Sequence, residues 1–195
     1  MRRCQLTGRP FCRRCGAPTA VEVFGCAECR DRDFGFDEAR APLRYEGIGK
    51  ELVHALKYIG YLGVVEKVMG PLMSGVLDTV ARFDVVTPVP LHRSRLARRG
   101  FNQAELMAKS VARRISAPVL DKLKAVHRTR DQIELSADAR WGNVSGAFVS
   151  RSPVAGKVLL VDDVFTTGAT LGECATVLRR AGAEEIRALT LYRPL

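Results

Sequence analysis

The fold is decided by one stretch of sequence, Val158-Leu159-Leu160-Val161-Asp162-Asp163-Val164-Phe165-Thr166-Thr167-Gly168-Ala169-Thr170-Leu171. It begins with apolar, partly β-branched residues that predict a buried strand. Two adjacent carboxylates follow, and a short turn rich in threonine then leads into a helix. A strand that delivers acidic residues to a turn and a helix is typical of one unit of a parallel α/β sheet.

This stretch also predicts a binding site for a phosphorylated sugar. Ligands of parallel α/β sheets bind at the carboxyl ends of the strands, which is where Asp162 and Asp163 emerge. Adjacent carboxylates can accept hydrogen bonds from a ribose diol, and Gly168 lets the backbone approach a ligand closely. Amides and hydroxyls at a helix N-terminus suit a 5′-phosphate. The residues that offer them are Thr166, Thr167, Gly168, Ala169 and Thr170. A plain helix cap with solvated acids is the alternative.

The remaining apolar patterns extend this unit into a sheet. Strands are predicted at Phe83–Val89, Lys157–Val161 and Ile186–Tyr192, and helices at Ile48–Ile59, Ala104–Ile115 and Leu171–Ala181. Strands that alternate with helices favour a mostly parallel, doubly wound α/β sheet. We find no internal repeat and no low-complexity segment.

Four cysteines near the start form two CxxC pairs, Cys12 with Cys15 and Cys26 with Cys29. Each pair is short enough to present both thiolates to one tetrahedral ion, as in a small zinc ribbon. A redox pair and two disulfides remain alternatives, although the clustering of cysteines in a reducing compartment favours metal ligation. We expect residues 1–32 to form a zinc ribbon and residues 33–195 the α/β domain, with Cys4 left unassigned.

Composition limits the partners without selecting one. The chain has 195 residues and a net charge of +10. This positive charge favours phosphate-bearing partners. It is compatible with an excess of basic residues that only keeps the protein in solution, with a small-anion site or with a nucleic-acid surface. The start lacks the apolar run of a signal peptide, and the longest apolar stretch, Val68–Leu77, is too short to span a bilayer. We therefore expect a cytoplasmic protein without membrane insertion.

Several motifs resemble those of known transferases. The acidic, threonine-rich stretch resembles the phosphoribosyl pyrophosphate (PRPP) signature of type I phosphoribosyltransferases. The order of motifs along nearly the whole chain is similar to the ComF (ComFC) family of competence-associated phosphoribosyltransferase-like proteins. These motifs are the cysteine finger, Tyr45-Glu46-Gly47, Leu56-Lys57-Tyr58, Thr87-Pro88-Val89-Pro90-Leu91-His92, Arg99-Gly100-Phe101-Asn102-Gln103, and the run from Arg128 to Phe148. The resemblance implies a type I phosphoribosyltransferase fold, a parallel doubly wound sheet flanked by helices, with an added zinc ribbon.

The resemblance also implies roles for individual residues. The loop at Pro88–His92 lies on the pyrophosphate side of PRPP, and the segment from Arg128 to Asn143 is a mobile loop that closes over it. The residues implied to be catalytic are Asp162, Asp163, Arg128 and Arg140. Those implied to bind PRPP are Asp162, Asp163, Thr166, Thr167, Gly168, Ala169, Thr170, Pro90, Leu91, His92, Arg95 and Arg99. Alternatives remain open for some of them: His92 as a turn-capping or packing residue, and Arg95 and Arg99, together with Arg98, as a solvated basic face.

Two functions of different classes follow. The first is an enzyme that transfers phosphoribose from PRPP to an unknown nitrogen acceptor with Mg²⁺, linked to DNA uptake in natural transformation. The second is a non-catalytic, PRPP-responsive protein that binds single-stranded DNA. The zinc finger, the positive net charge and the family resemblance favour this function. We expect residues 33–70 to form the hood that selects the acceptor.

Overall fold

The computed structural model of the protein describes residues 10–30, 32–44, 82–129 and 137–193. Its helices are α1 (Ala27–Arg30), α2 (Arg93–Arg99), α3 (Gln103–Ile115), α4 (Ala137–Val144) and α5 (Ala169–Arg180). Its strands are β1 (Glu38–Arg40), β2 (Leu43–Arg44), β3 (Val85–Pro88), β4 (Leu123–Ala125), β5 (Phe148–Ser150), β6 (Lys157–Val164) and β7 (Glu185–Arg193). The predicted helix Ile48–Ile59 and most of the predicted hood lie outside the described residues.

The main sheet is parallel in all of its described strand pairs, which confirms the predicted fold class. Its order is β1, β7, β6 and β3, and β2 also pairs with β7. Strand β6 is central, and its apolar residues alternate between two cores because successive side chains point to opposite faces. Val158 and Leu160 pack in the core that includes α5, whereas Leu159 and Val161 pack in the core that includes α3. The sheet is therefore covered on both faces, as a doubly wound fold requires.

The predicted and observed elements differ most in an arginine-rich segment. The sequence patterns predict no helix between Val89 and Ala104, but this segment contains the short helix α2. None of its residues is buried, so it carries no apolar periodicity from which a helix is predicted. Its ends are nevertheless defined by the sequence, since His92 caps its first turn and Gly100 ends it with a φ of 81°. Two of the predicted site arginines thus lie on a helix and not on a flexible loop.

A small antiparallel hairpin stands apart from the main sheet. Strands β4 and β5 pair from Leu123 opposite Ser150 to Ala125 opposite Phe148. The chain between them contains α4 and the whole segment from Arg128 to Asn143, which the resemblance identifies as a mobile loop. The hairpin therefore fixes both ends of that segment.

The N-terminal cysteine segment packs directly on the main sheet. The Ala39 amide of β1 donates to the Arg14 carbonyl at 2.7 Å, and Cys12 and Cys15 belong to the same apolar cluster as Phe34 and α5. These contacts cross the boundary expected at residue 33, which stays a prediction. Within the described ranges, no helix has the length and apolarity needed to cross a membrane.

Candidate functional site

The four cysteine sulfurs form a compact cluster. The Sγ atoms of Cys12 and Cys29 are 3.8 Å apart, those of Cys15 and Cys26 3.6 Å, and those of Cys26 and Cys29 3.8 Å. All four lie within 4.8 Å of one another. Sulfurs bound about 2.3 Å from a tetrahedral zinc ion lie about 3.8 Å from each other. The cysteines are therefore positioned to bind a metal ion, and the spacing of their sulfurs fits zinc.

The surroundings of the cluster prepare one of these thiols for ligation. Burial alone raises the pKa of Cys12, but backbone amides that donate to its sulfur outweigh burial and lower that pKa to about 7. One of them is the Cys26 amide, 3.3 Å from the Cys12 sulfur. Burial raises the pKa of Cys29 to about 11 and raises that of Cys15 further. A bound cation would favour the thiolate at all four positions.

The two predicted carboxylates lie at the carboxyl end of β6 and point to opposite faces of the sheet. Asp163 is only 6% exposed and accepts a hydrogen bond from Gln103 Nε2 of α3 at 3.2 Å. Asp162 faces the other side, toward Cys174 of α5, where its charge adds to burial in raising the pKa of that thiol. The Asp163 amide donates to Asp162 Oδ1 at 2.8 Å. The carboxylates thus flank the strand end from two sides instead of standing side by side.

The threonine-rich turn connects these carboxylates to the N-terminus of α5. Gly168 occupies the N-cap position with a φ of 78° and brings no side chain to cap the helix. The Ala169 amide donates to Thr167 Oγ1 at 3.4 Å, while Thr166 is exposed. A helix N-terminus capped by glycine presents its amides to an incoming anion. The turn therefore has the geometry expected of a phosphate site.

The structure gives a different reason for Gly168 from the one that we predicted. We expected close approach of a ligand, but the space that a Cβ would occupy is filled by aromatic rings. A Cβ placed there would lie 2.6 Å from Phe34 Cε1 and would overlap the ring of Phe165. Phe34 and Phe165 pack edge to face, with ring centroids 6.0 Å apart. Glycine is thus required both by its positive φ and by the packing beneath the turn.

Helix α2 places the predicted arginines near the strand ends. Arg95 donates to both Thr129 Oγ1 and the Thr129 carbonyl, at 3.1 and 2.8 Å, so it lies beside the residue that follows Arg128. His92 caps α2, since its Nδ1 accepts from the Ser94 amide at 3.3 Å. The turn-cap alternative for His92 therefore describes its local contact. Pro90 and Leu91, both partly exposed, form the connection from β3 to α2.

Gln103 is a site residue to which the sequence assigned no role. Its Oε1 accepts from Arg99 Nη1 at 2.6 Å, and its Nε2 donates to Asp163. Gln103 is 5% exposed, so these two contacts hold a buried amide between a cation and a carboxylate. The only sequence signal was its presence in the Arg99-Gly100-Phe101-Asn102-Gln103 motif. The structure thus joins Arg99 to Asp163 through one side chain.

Arg140 comes from the other layer of the molecule. It lies on α4, which packs against α5 on the opposite face of the sheet from α3. Its neighbour Trp141 packs on Phe34, with ring centroids 5.6 Å apart. The predicted arginines therefore lie on elements from both layers: Arg95 and Arg99 on α2, and Arg140 on α4.

A groove of about 350 Å³ lies away from these residues, between the cysteine segment and α5. Four of its charged side chains form two ion pairs, Arg14 with Asp33 at 3.2 Å and Arg179 with Asp37 at 2.7 Å, and Arg180 also lines it. The groove contains neither of the β6 carboxylates. We therefore place the candidate site at the β6–α5 turn, where the carboxylates and the helix N-terminus meet.

Comparison with known proteins agrees with the fold. The family described as "Phosphoribosyl transferase domain" matches residues 98–195, which include α3, β6, the turn and α5. The chain thus contains a phosphoribosyltransferase-type domain in a parallel α/β sheet.

Relatives that match nearly the whole chain define the family more closely. Competence protein F of Haemophilus influenzae is 31% identical over 97% of this chain and 87% of its own length. DNA utilization protein YhgH of Escherichia coli K12 is 31% identical over 99% of this chain and 88% of its own. Competence protein ComFC of Streptococcus pneumoniae is 29% identical over 90% of this chain and 80% of its own. The chain belongs to the ComF (ComFC) family of phosphoribosyltransferase-like proteins.

Proposed function

We propose that this protein binds PRPP at the turn between β6 and α5 and transfers the phosphoribosyl group to a nitrogen acceptor. The observation that carries the proposal is the sequence of features along this turn. Asp162 and Asp163 end a central parallel strand, and a helix N-terminus capped by Gly168 follows within a few residues. Because the chain belongs to a phosphoribosyltransferase-like family, this arrangement favours a phosphorylated ribose over other anions.

In this proposal each part of the turn recognises one part of the ligand. Asp163, held by Gln103, accepts a hydrogen bond from one ribose hydroxyl, and Asp162 accepts from the other. Amides and hydroxyls at the start of α5 hold the 5′-phosphate, where the helix dipole adds to their attraction. The residues that supply these groups are Thr166, Thr167, Gly168, Ala169 and Thr170.

The transfer step depends on stabilising the leaving pyrophosphate. The lone pair of the acceptor nitrogen attacks C1 of the ribose, the bond from C1 to the pyrophosphate oxygen breaks, and its electrons leave with pyrophosphate. Fixed cations at the site stabilise the charge that develops on that group. We assign this role to Arg95, Arg99, Arg128 and Arg140, with Pro90, Leu91 and His92 beside them.

The donor set of the turn also fits Mg²⁺. This ion is usually held by one or two carboxylates together with substrate phosphates, and Asp162 is the more accessible carboxylate of the turn. When bound, Mg²⁺ supplies further positive charge to the pyrophosphate oxygens. For the cysteine cluster we propose a structural zinc ion, because four thiolates leave no open coordination position for catalysis. We expect the protein to act in the cytoplasm during DNA uptake.

Calorimetric titration with PRPP and Mg²⁺, together with pyrophosphate release in a screen of nitrogen acceptors, tests the proposal. We expect the Asp162→Asn/Asp163→Asn double variant to lose at least about tenfold in PRPP affinity, because each lost charge-assisted hydrogen bond is worth about 1.5–3 kcal/mol. Asp121→Asn is the matched control, since Asp121 is exposed and forms an ion pair with Arg151 beside the strand pair β4–β5. Equal PRPP binding by the parent and the double variant would refute the assigned site.

The names of the relatives favour a second candidate, a non-catalytic protein that binds single-stranded DNA in response to PRPP. Helix α2 offers a surface for it, because Arg93 and Arg98 are exposed beside the arginines assigned to pyrophosphate. A DNA backbone that is bound there would place its phosphates near the PRPP site. Ligand and DNA would then compete or cooperate through the same helix.

Anisotropy of a labelled oligothymidylate at several salt concentrations tests this candidate. Each phosphate contact to a single strand contributes about −0.7 to the slope of log affinity against log salt. Arg93→Gln/Arg98→Gln should therefore reduce the slope by about 1.4, whereas Arg113→Gln/Arg114→Gln, two exposed residues at the far end of α3, should leave it unchanged. Equal slopes for both variants would exclude α2 as the DNA surface. PRPP binding without pyrophosphate release for any acceptor would favour this candidate over the enzyme.

A further inference from the structure

Arg193, at the end of β7, is a buried cation that contacts the cysteine cluster. It is 3% exposed, and its Nη2 donates to Cys15 Sγ at 3.4 Å and to Glu28 Oε2 at 2.8 Å. Its Nη1 has no hydrogen-bond partner among the residues that the structure describes. A buried cation of this kind needs nearby negative charge to offset its desolvation. Glu28 supplies part of this charge, from a side chain that is largely exposed to solvent and therefore screened.

A bound zinc ion would supply that charge through its thiolates. Four thiolates around a divalent ion carry a net charge of about −2, and Cys12 and Cys15 are fully buried. Hydrogen bonds to ligand sulfurs and charges nearby are among the outer interactions that set the affinity of a metal site. The guanidinium of Arg193 meets both conditions, since it touches the Cys15 sulfur and carries positive charge.

The same guanidinium also contacts the turn that precedes α5. Its Cζ lies 4.1 Å from the centroid of the Phe165 ring, a cation–π distance. Phe165 stands between the β6 carboxylates and the threonines, and its amide donates to the carbonyl of Tyr192, the neighbour of Arg193, at 2.8 Å. Its ring fills the space beside Gly168. One side chain therefore contacts a metal ligand on one side and the support of the turn on the other.

We propose that Arg193 is a positioning residue that couples metal occupancy of the four-cysteine site to the conformation of the turn between β6 and α5. With metal bound, the guanidinium is fixed by the thiolates and holds the Phe165 ring beneath Gly168. Without metal, it loses the charge of the metal-bound cluster and is held mainly by the largely exposed Glu28, so its position is less firmly fixed. By linkage, a ligand that orders the turn also strengthens metal binding by the same factor. The consequence for PRPP rests on the proposed function, but the coupling itself does not.

The first arm of the test measures zinc affinity by competition with a chromophoric chelator. We expect Arg193→Met to weaken zinc binding by about tenfold or more, the range typical of lost outer-shell partners. The matched control is Arg187→Met on the same strand, because Arg187 pairs with Glu185 and not with a cysteine. Arg193→Lys keeps the charge without the planar fork and should fall between the parent and Arg193→Met. Parent-like zinc affinity in Arg193→Met would overturn the proposal.

The second arm measures hydrogen exchange of the peptide that spans the turn, in zinc-loaded protein without PRPP. We expect faster exchange at residues 165–170 in Arg193→Met and unchanged exchange in Arg187→Met. Weaker zinc binding with parent-like exchange at the turn would refute the coupling. If Arg193→Met does not fold, Arg193→Lys decides both arms by the same criteria. A parent protein that fails to bind PRPP would refute the proposed function and leave both of these readouts intact.

Discussion

Substitution of Gly168 by alanine separates two reasons for a glycine at the candidate phosphate turn. At a φ of 78° any side chain is strained, at a cost of about 1–2 kcal/mol. The added Cβ would also lie 2.6 Å from Phe34 Cε1 and overlap the Phe165 ring. Overpacking of this kind costs about 1–3 kcal/mol more. We therefore expect Gly168→Ala to reduce the free energy of unfolding by about 2–5 kcal/mol, a large part of the stability of a typical domain.

Gly100→Ala is the matched control for the backbone term. Gly100 has nearly the same φ, 81°, and a Cβ there would meet none of the described residues within 4 Å. This variant should lose about 1–2 kcal/mol from strain alone. Urea unfolding followed by the fluorescence of the single tryptophan, Trp141, measures both variants, since Trp141 packs on Phe34. Equal losses in the two variants would show that ring packing does not constrain Gly168.

Two further predictions concern contacts away from the glycine. Gln103→Met removes the hydrogen-bond donor to Asp163 and should weaken PRPP binding by about tenfold or more in calorimetry. The control Glu105→Gln, on the solvent side of the same helix, should bind PRPP like the parent. A parent-like affinity for Gln103→Met would contradict the role of the amide. A hydrogen bond from Lys157 holds the pKa of Glu185 in the folded protein below its ordinary value. The pair therefore stabilises the fold at pH values above the pKa of Glu185 in the unfolded chain. This stabilisation is lost as the pH falls through the lower pKa of the folded state. In urea unfolding, Glu185→Gln should therefore lower the free energy of unfolding by up to about 1 kcal/mol near neutral pH. Below the folded-state pKa of Glu185 it should have no effect. An equal loss in acid would count against the ion pair.

The parts of the fold that sequence alone could predict are those with a local pattern. The apolar run that ends at Asp162 marked a buried strand, because a strand covered on both faces needs apolar residues at every position. The two CxxC pairs marked the cysteine cluster, because their spacing brings the sulfurs together by local turns. Helix α3 was predicted within one residue of its start. In each case residues close in the sequence determine the structure.

The rest depended on contacts between distant residues. Gln103 reaches Asp163 across 60 positions, and Arg193 reaches Cys15 across 178. No pattern of neighbouring residues distinguishes these two polar side chains from solvated ones. Helix α2 was missed for a different reason. It buries none of its residues, so it has no apolar pattern, and only its capping residues mark its ends. The predicted reason for Gly168 was incomplete because the Phe34 ring comes from the other end of the chain.

These distant contacts give the cysteine finger a structural role beneath the turn between β6 and α5. A turn that offers its amides to a phosphate cannot use the same amides to hold itself in place, so its rigidity must come from packing beneath it. Here that packing is provided by Phe165, by Phe34 just after the cysteines, and by Arg193 against the Cys15 sulfur. Phe34 and Arg193 contact the cysteine segment, through Arg14 and Cys15, and Phe165 packs against both of them. The finger is therefore placed to support the turn from below. If the turn binds a phosphate as we propose, damage to the cysteine cluster should weaken that binding without any change in the residues assigned to the phosphate.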